Sequence, residues 1–316
     1  MGAPPPNRKP AWLRVAAPLP RQFRATGAVL DELRVNTVCR EARCPNKGEC
    51  YSAGTASFLI LGDACTRGCR FCSVSADRDE TGMSPRADTA LSTPCTVDAD
   101  EPRRVAAAVA RLGLRHVVIT SVTRDDLPDG GAGHFATTIH AVRQAAPGAT
   151  VEVLIPDLGG DHEALRAVLA ACPDVLDHNL ETVPRLYPQA RPQASYRRSL
   201  ELLTRAAAWA RGPAPDRWPS ATPAPRRPLV KTSLMVGLGE RDDELDQVIA
   251  DCVAARVDLV TVGQYLQPRR DCLPVVRYVA PDELQAKEER WQAMGVTVRA
   301  APLMRSSYRA GEALSL

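Results

Sequence analysis

Phe58-Leu-Ile-Leu61, followed by Gly62-Asp-Ala-Cys65-Thr-Arg-Gly-Cys69-Arg-Phe-Cys72, decides the fold of this chain. The apolar run has the length of a buried strand, and the three cysteines occupy the loop that leaves it. Thiolates at offsets of four and three wrap three corners of an iron–sulfur cube. The fourth iron is left without a protein ligand, which makes a reactive site rather than a structural plug. A second triplet, Cys39-Arg-Glu-Ala-Arg-Cys44-Pro-Asn-Lys-Gly-Glu-Cys50, lies just upstream. Zinc would draw four ligands from paired Cys or Cys/His sets. His116, His134, His140, His162 and His178 are all remote in sequence from both triplets.

Outward from this stretch, strands and helices alternate. Asp100-Glu-Pro102 predicts a helix start, with Pro near the first helical position and the helix running to Leu112. Apolar runs predict strands at 116–120, 151–155, 175–178, 229–236 and 259–262. Helical patterns fall at 134–145, 162–171, 195–210, 242–255 and 281–294. Six βα units in series predict an α/β fold, a partial (β/α)6 TIM-like barrel over residues 57–300. Its chemistry belongs at the C-terminal ends of the strands, where the Cys65 loop sits. A flexible N-terminal arm is expected over 1–30 and a cluster-binding extension over 31–56. The extension has too few apolar residues to offset its ordering entropy unaided. A C-terminal segment over 301–316 follows the barrel. The proline-rich stretch 212–228 is expected as a solvent-exposed insertion on the face opposite the site.

Composition narrows the classes. Net charge is +3, and the 40 basic residues, all but four of them arginine, are spread among 37 acids. Such a balance gives no nucleic-acid footprint. No apolar stretch approaches a bilayer span of about 20 residues. Residues 1–30 carry five basic residues and no acid, as transit peptides do, but six prolines interrupt any amphipathic helix there and serine is absent. The expected compartment is the cytoplasm, where ten cysteines serve as ligands and core thiols rather than disulfides.

The Cys65, Cys69, Cys72 loop after the first barrel strand resembles that of the radical S-adenosylmethionine superfamily. Cys39, Cys44 and Cys50, together with Arg305-Ser306-Ser307-Tyr308, resemble the auxiliary-cluster motifs of the lipoyl synthase family. Thr123-Arg-Asp-Asp-Leu-Pro-Asp-Gly-Gly131, His178-Asn-Leu-Glu-Thr-Val183 and Gly263-Gln-Tyr-Leu-Gln-Pro268 extend the similarity over about Lys9 to Ala310. Tyr51 departs from it, standing where the family often has Trp. The resemblance implies two [4Fe-4S] clusters and S-adenosylmethionine. Cys65, Cys69 and Cys72 would hold the radical-generating cluster. Cys39, Cys44, Cys50 and Ser307 would hold a sacrificial one, Ser306 being the alternative serine. The implied reaction inserts sulfur at C6 and C8 of a protein-bound octanoyl group. The implied partners are octanoylated lipoyl carrier domains (2-oxoacid dehydrogenase E2 subunits, glycine cleavage H protein), a flavodoxin or ferredoxin donor, and a cluster-repair iron–sulfur carrier. A methylthiotransferase-like enzyme and a non-enzymatic two-cluster protein are the alternatives. The latter would want four thiolates per cluster, which two triplets do not supply.

Nucleoside contacts are expected at strand ends: Ser121 and the Arg124-Asp125-Asp126 run after the second, Asn179 and Glu181 after the fourth, Gly237 and Glu240 after the fifth. The Ser121–Gly131 stretch also reads as a capped turn, and Asn179 and Glu181 as helix caps. Arg191 and Arg197 are candidates for a carboxylate fork. Cys95, Cys172, Cys252 and Cys272 have no ligand spacing; Cys172 and Cys252 read as core residues on helices.

Overall fold

The computed structural model describes residues 9–15, 17–76, 96–212 and 227–315. Cys95, and most of the expected proline-rich insertion, lie outside the described residues.

The first correction concerns the arm. Residues Pro20–Glu32 form a helix, α1, because Pro20 occupies the first helical position, where its missing N–H costs nothing. Leu30 and Thr26 are buried. Next come β1 (Asn36–Thr37), α2 (Val38–Glu41) and α3 (Lys47–Ser52), which carry the first cysteine triplet. The extension's buried residues join the barrel's hydrophobic core. Tyr51 is 1% exposed, stacks on Phe23 with centroids 5.4 Å apart, and shares a 2.8 Å hydrogen bond with the Thr37 hydroxyl. The extension thus gains apolar burial from α1, a contribution that its own composition hides.

The barrel strands are β2 (Ser57–Ile60), β5 (His116–Ser121), β6 (Thr150–Leu154), β7 (Val175–Asp177), β8 (Leu229–Val236), β9 (Leu259–Gln264) and β10 (Thr297–Ala301). A two-residue ladder of β3 (Ala64–Cys65) with β4 (Ser75–Ala76) lies within the cysteine loop. The helices α4 (Glu101–Leu112), α5 (Ala132–Ala145), α6 (His162–Ala170), α8 (Tyr196–Arg211), α9 (Asp242–Ala254) and α10 (Pro281–Gln292) alternate with the strands, and a short α7 (Tyr187–Ala190) precedes α8. The sheet order β1-β2-β5-β6-β7-β8-β9-β10 is parallel throughout, apart from the antiparallel β1. It is the partial barrel expected, with one strand more: β10, whose Thr-Val-Arg-Ala-Ala alternation includes a charged residue, pairs along β9. The sheet's edges are β1 and β10.

Local chemistry sets the strand ends. Leu61 takes a left-handed φ of 67° after β2, and its N–H donates to the Glu101 carboxylate at 2.7 Å. Residue 131 must be glycine, since a side chain there would strike Leu61. His178 follows β7 and is fully buried. Its Nδ1 donates to the Ile155 carbonyl at 2.8 Å, which leaves Nε2 to accept from Ser199 on α8 at 2.9 Å. Cys252 is a core residue of α9, as expected; Cys172 lies just past α6 with a φ of 60°.

Burial, reinforced by repulsion from Arg191, pushes the His178 imidazole down from 6.5 to about 4. Between those values the unfolded chain binds a proton that the folded chain refuses, so stability falls as pH drops through that window. Thermal melting between pH 7 and 5 should show a declining Tm. His178→Gln, which keeps hydrogen-bonding capacity without titrating, should flatten part of the slope. A variant that retains the full parental slope would refute this account.

Candidate functional site

The second cysteine loop is tied down on three sides. Cys65 Sγ accepts the Thr123 N–H at 3.3 Å, and Thr66 N donates to the Thr123 carbonyl at 3.0 Å, both after β5. Arg70 N donates to the Ala190 carbonyl at 2.9 Å, and the Arg70 carbonyl accepts from Leu273 N at 2.8 Å. Arg67, within the triplet, forms a two-pronged pair with Asp125 at 2.7 Å and reaches Asp157 at 2.7 Å. Burial opposes ionisation of Asp157, but Arg67 outweighs it and holds the carboxyl down to about 2. Asp125 and Arg67 therefore lock the loop. Arg124 pairs with Asp126 at 2.7 Å. The three charged residues expected as possible nucleoside contacts are thus engaged in ion pairs that shape the loop.

The two triplets belong to one neighbourhood. Ser73 Oγ, beside Cys72, donates to the Glu41 carbonyl between Cys39 and Cys44 at 2.6 Å. Burial, then mutual repulsion among Cys39, Cys44 and Cys50, pushes the Cys50 thiol up to about 12 and raises that of Cys39. Burial and the neighbouring Cys69 and Cys65 push Cys72 up to about 12; Cys69 is raised mainly by burial. All six cysteines are free thiols.

The C-terminal segment closes on the first triplet. Asn46 Nδ2 donates to the Leu303 carbonyl at 2.8 Å, and Tyr308 OH donates to Glu49 at 2.8 Å. Between these ties, Arg305 is half-buried, and Cys44 and Glu181 both favour its charge against the desolvation it suffers. Ser306 is buried and donates to Asp177, while its carbonyl accepts from Lys231 Nζ at 2.5 Å. Ser307 is half-buried. Gly263 on β9 makes this path possible, because a Cβ there would collide with the Met304 carbonyl.

The expected nucleoside contacts divide into two groups. The buried Ser121 Oγ and Asn179 Oδ1 have no hydrogen-bond partner. Glu181 sits in the left-handed region at φ 67°, bonded to Asn179 Nδ2 at 3.1 Å, and burial raises its pKa. A non-glycine residue held there marks backbone strain of the kind that clusters at functional sites. Gly237 and Glu240 build a turn instead. The Glu240 carboxylate accepts from the N–H groups of Gly237 and Leu238, and a side chain at Gly237 would strike the Arg277 carbonyl. Arg191 is half-buried, with Cys69 and Glu181 favouring its charge, whereas Arg197 is exposed on α8. One residue of the site had no sequence signal. Cys272 is buried with its Sγ donating to the Cys72 carbonyl at 3.4 Å.

These residues fit the implied groups. Each triplet places sulfurs where ionisation of one is opposed by burial or by the others, a cost that cationic iron removes. Among the described residues no three His, Cys, Asp or Glu side chains close on a single point, as one metal ion demands. A cube spreads its ligands over separate irons. The orphaned Ser121 and Asn179 oxygens are the kind of polar atoms that a bound nucleoside satisfies.

Two substitutions test this geometry. Arg67→Met should leave buried Asp157 with Arg198 at 3.3 Å as its remaining cationic partner, beside the Gly159 N–H at 3.2 Å, and should destabilise the chain by about 3 kcal/mol in denaturant unfolding. Gly263→Ala should cost about 1–3 kcal/mol through overpacking and expose residues 303–309 to protease. Parental stability in either variant would contradict the packing described.

The radical SAM superfamily model matches residues 59–252. The chain is 51% identical over 310 residues to the lipoyl synthase of Nitratidesulfovibrio vulgaris (strain DP4), covering 98% of this chain and 93% of the relative. It is 47% identical over 306 residues to the lipoyl synthase of Thermus thermophilus, covering 96% and 86%. Among solved structures, methylornithine synthase superposes with a TM-score of 0.52 at 14% identity, covering 76% of this chain and 63% of that one, a likeness of fold alone. With identity of this order spread over nearly its whole length, and the cysteine loops in place, this chain belongs to the lipoyl synthase family of the radical SAM superfamily.

Proposed function

We propose that this chain inserts two sulfur atoms, at C6 and C8, into an octanoyl group carried on a lipoyl carrier domain, consuming S-adenosylmethionine and the sulfide of an auxiliary [4Fe-4S] cluster. The observation that carries this reading is the return of the Arg305-Ser306-Ser307-Tyr308 segment onto the first cysteine triplet, through Asn46 and Glu49. When bound, the groups supply one-electron reduction, hydrogen-atom abstraction from an unactivated C–H bond, and sulfide for the new C–S bonds.

The chain's own residues divide the work. Cys65, Cys69 and Cys72 would hold one cluster, to which they offer three protein ligands. The Thr123 N–H and the half-buried Arg191 act on the sulfurs of Cys65 and Cys69, where they would tune its potential. Ser121, Asn179 and Glu181 orient the nucleoside, and Gly237 and Glu240 shape the loop beside it. Cys39, Cys44, Cys50 and Ser307 hold the sulfur source. Ser306 is engaged with Asp177 and Lys231, which favours Ser307 as the ligand. Serine oxygen is a harder and more displaceable partner for iron than thiolate, which suits a cluster that must open. The chemistry requires the barrel lumen to exclude water from the reacting carbon.

The working division is an extension over 31–56, a barrel over 57–300 and a closing segment from 301. The partners that the chemistry requires are an octanoylated E2 or H-protein domain, a flavodoxin- or ferredoxin-type donor and a cluster-repair carrier. A reducing cytoplasm suits the free thiols. No helix among the described residues is long and apolar enough to cross a membrane.

Anaerobically reconstituted protein should hold about eight irons per chain and convert an octanoylated carrier domain to its dithiolated form with release of 5′-deoxyadenosine. Ser307→Ala should retain part of the nucleoside cleavage while losing most of the sulfur transfer; Cys69→Ala should lose both. Equal loss of cleavage in the two variants would overturn the assignment.

A further inference from the structure

An ionic cluster inside the barrel is left unexplained by the reaction. Lys231 is 1% exposed, and Glu152 and Asp177 are fully buried. Lys231 Nζ donates to Glu152 Oε1 at 2.8 Å and lies 3.8 Å from Asp177 Oδ2. These residues come from β8, β6 and β7, so Lys231 reaches across an intervening strand. His116 on β5 faces the other Glu152 oxygen at 3.4 Å. Apolar side chains would fill the lumen at no greater cost, so a buried ion pair is weak evidence for stability. What the cluster does achieve is a grip at two points. Lys231 holds the Ser306 carbonyl, and Asp177 accepts from the Ser306 hydroxyl. Fixing one residue through both its backbone and its side chain sets the position and rotation of its peptide, and therefore the start of the next residue.

We propose that Lys231 and Asp177, with Glu152 as counter-charge, are positioning residues for the auxiliary cluster: by clamping Ser306 from within the lumen they set where Ser307 meets Cys39, Cys44 and Cys50. The inference rests on the reading of Ser307 as a ligand. A weakly held oxygen ligand does not draw its own segment into place as a thiolate would, so the protein must supply that placement. The contacts on the outer side, from Asn46 and Tyr308, fix the segment two or more residues away from Ser306. Tyr308 also adjoins Ser307, but it is held only at the far end of its side chain, whereas the lumen grip holds the neighbouring Ser306 through its backbone as well.

The test uses the full-length chain, reconstituted with iron and sulfide. Lys231→Met, Ser306→Ala, Asp177→Asn and Ser307→Ala are compared by hydrogen exchange of residues 303–309 and by the rate at which a ferrous chelator removes iron. Lys231→Met and Ser306→Ala should each speed exchange in 303–309 by about tenfold while peptides of β8 and β9 stay protected. In both, about four irons per chain should leave about tenfold faster, with the remainder as slow as in the parent. Asp177→Asn keeps an acceptor for the Ser306 hydroxyl and should stay within about twofold of the parent in both readouts. Should Lys231→Met fail to fold, Ser306→Ala, which removes one hydroxyl, decides the matter alone. Unchanged exchange would show that no grip exists. Faster exchange with parental iron release, while Ser307→Ala releases iron quickly, would overturn the positioning role and leave the ligand reading intact. Parental iron release in Ser307→Ala would defeat the ligand reading and the proposal together.

Discussion

A hydrogen bond from Asn46 to the Leu303 carbonyl joins residues 257 positions apart, and the rest of the site depends on that closure. Bringing such distant residues together costs loop entropy, though the cost grows only slowly with length. It is met by the barrel between them, which the parallel sheet orders strand by strand. Once β10 has paired with β9, the chain is released at the sheet's far edge, and residues 303–309 run back to Asn46 and Glu49 near the opposite edge. The segment proposed to complete the auxiliary site is thus also the one that links β10 to the extension before β2.

Charge inside this structure follows the same logic. Arg67, Arg191, Arg305 and Lys231 are all largely withdrawn from water, and each meets a carboxylate, a thiol or both. Arg67 ties the cysteine loop to Asp125 after β5 and Asp157 after β6; the charge of Arg191 is favoured by Cys69 and Glu181, and that of Arg305 by Glu181 and Cys44. Glu181 therefore connects the surroundings of the two triplets electrostatically. Buried cations that would be costly alone become favourable beside ligands that carry negative charge once metal is bound.

Much of the fold was legible because it is written at short range. The strands at 116–121 and 229–236 and the helices at 101–112 and 242–254 were read within a residue or two, since their apolar periodicity lies inside one window. The helix at Pro20–Glu32 was not legible. Its prolines read as breakers, and only docking on the extension that carries Cys50 shows that Pro20 opens the helix. Strand β10 was hidden by its arginine and by following a helix without a seventh unit to announce it. Gly237 and Glu240 had the look of a nucleoside contact, yet the glycine answers to the Arg277 carbonyl and the glutamate to two backbone N–H groups.

Cysteine spacing, strand–helix alternation and the terminal Arg-Ser-Ser-Tyr determined the superfamily, the barrel and the two triplets, because each is a pattern of neighbours along the chain. Only the tertiary structure decided that Ser306 faces Lys231 and Asp177, that Cys272 lies under Cys72, and that Asp125 belongs to Arg67 rather than to a ligand. Those pairings are made across the lumen or between distant loops, where the energy of a contact depends on which strands are adjacent and not on the order of residues.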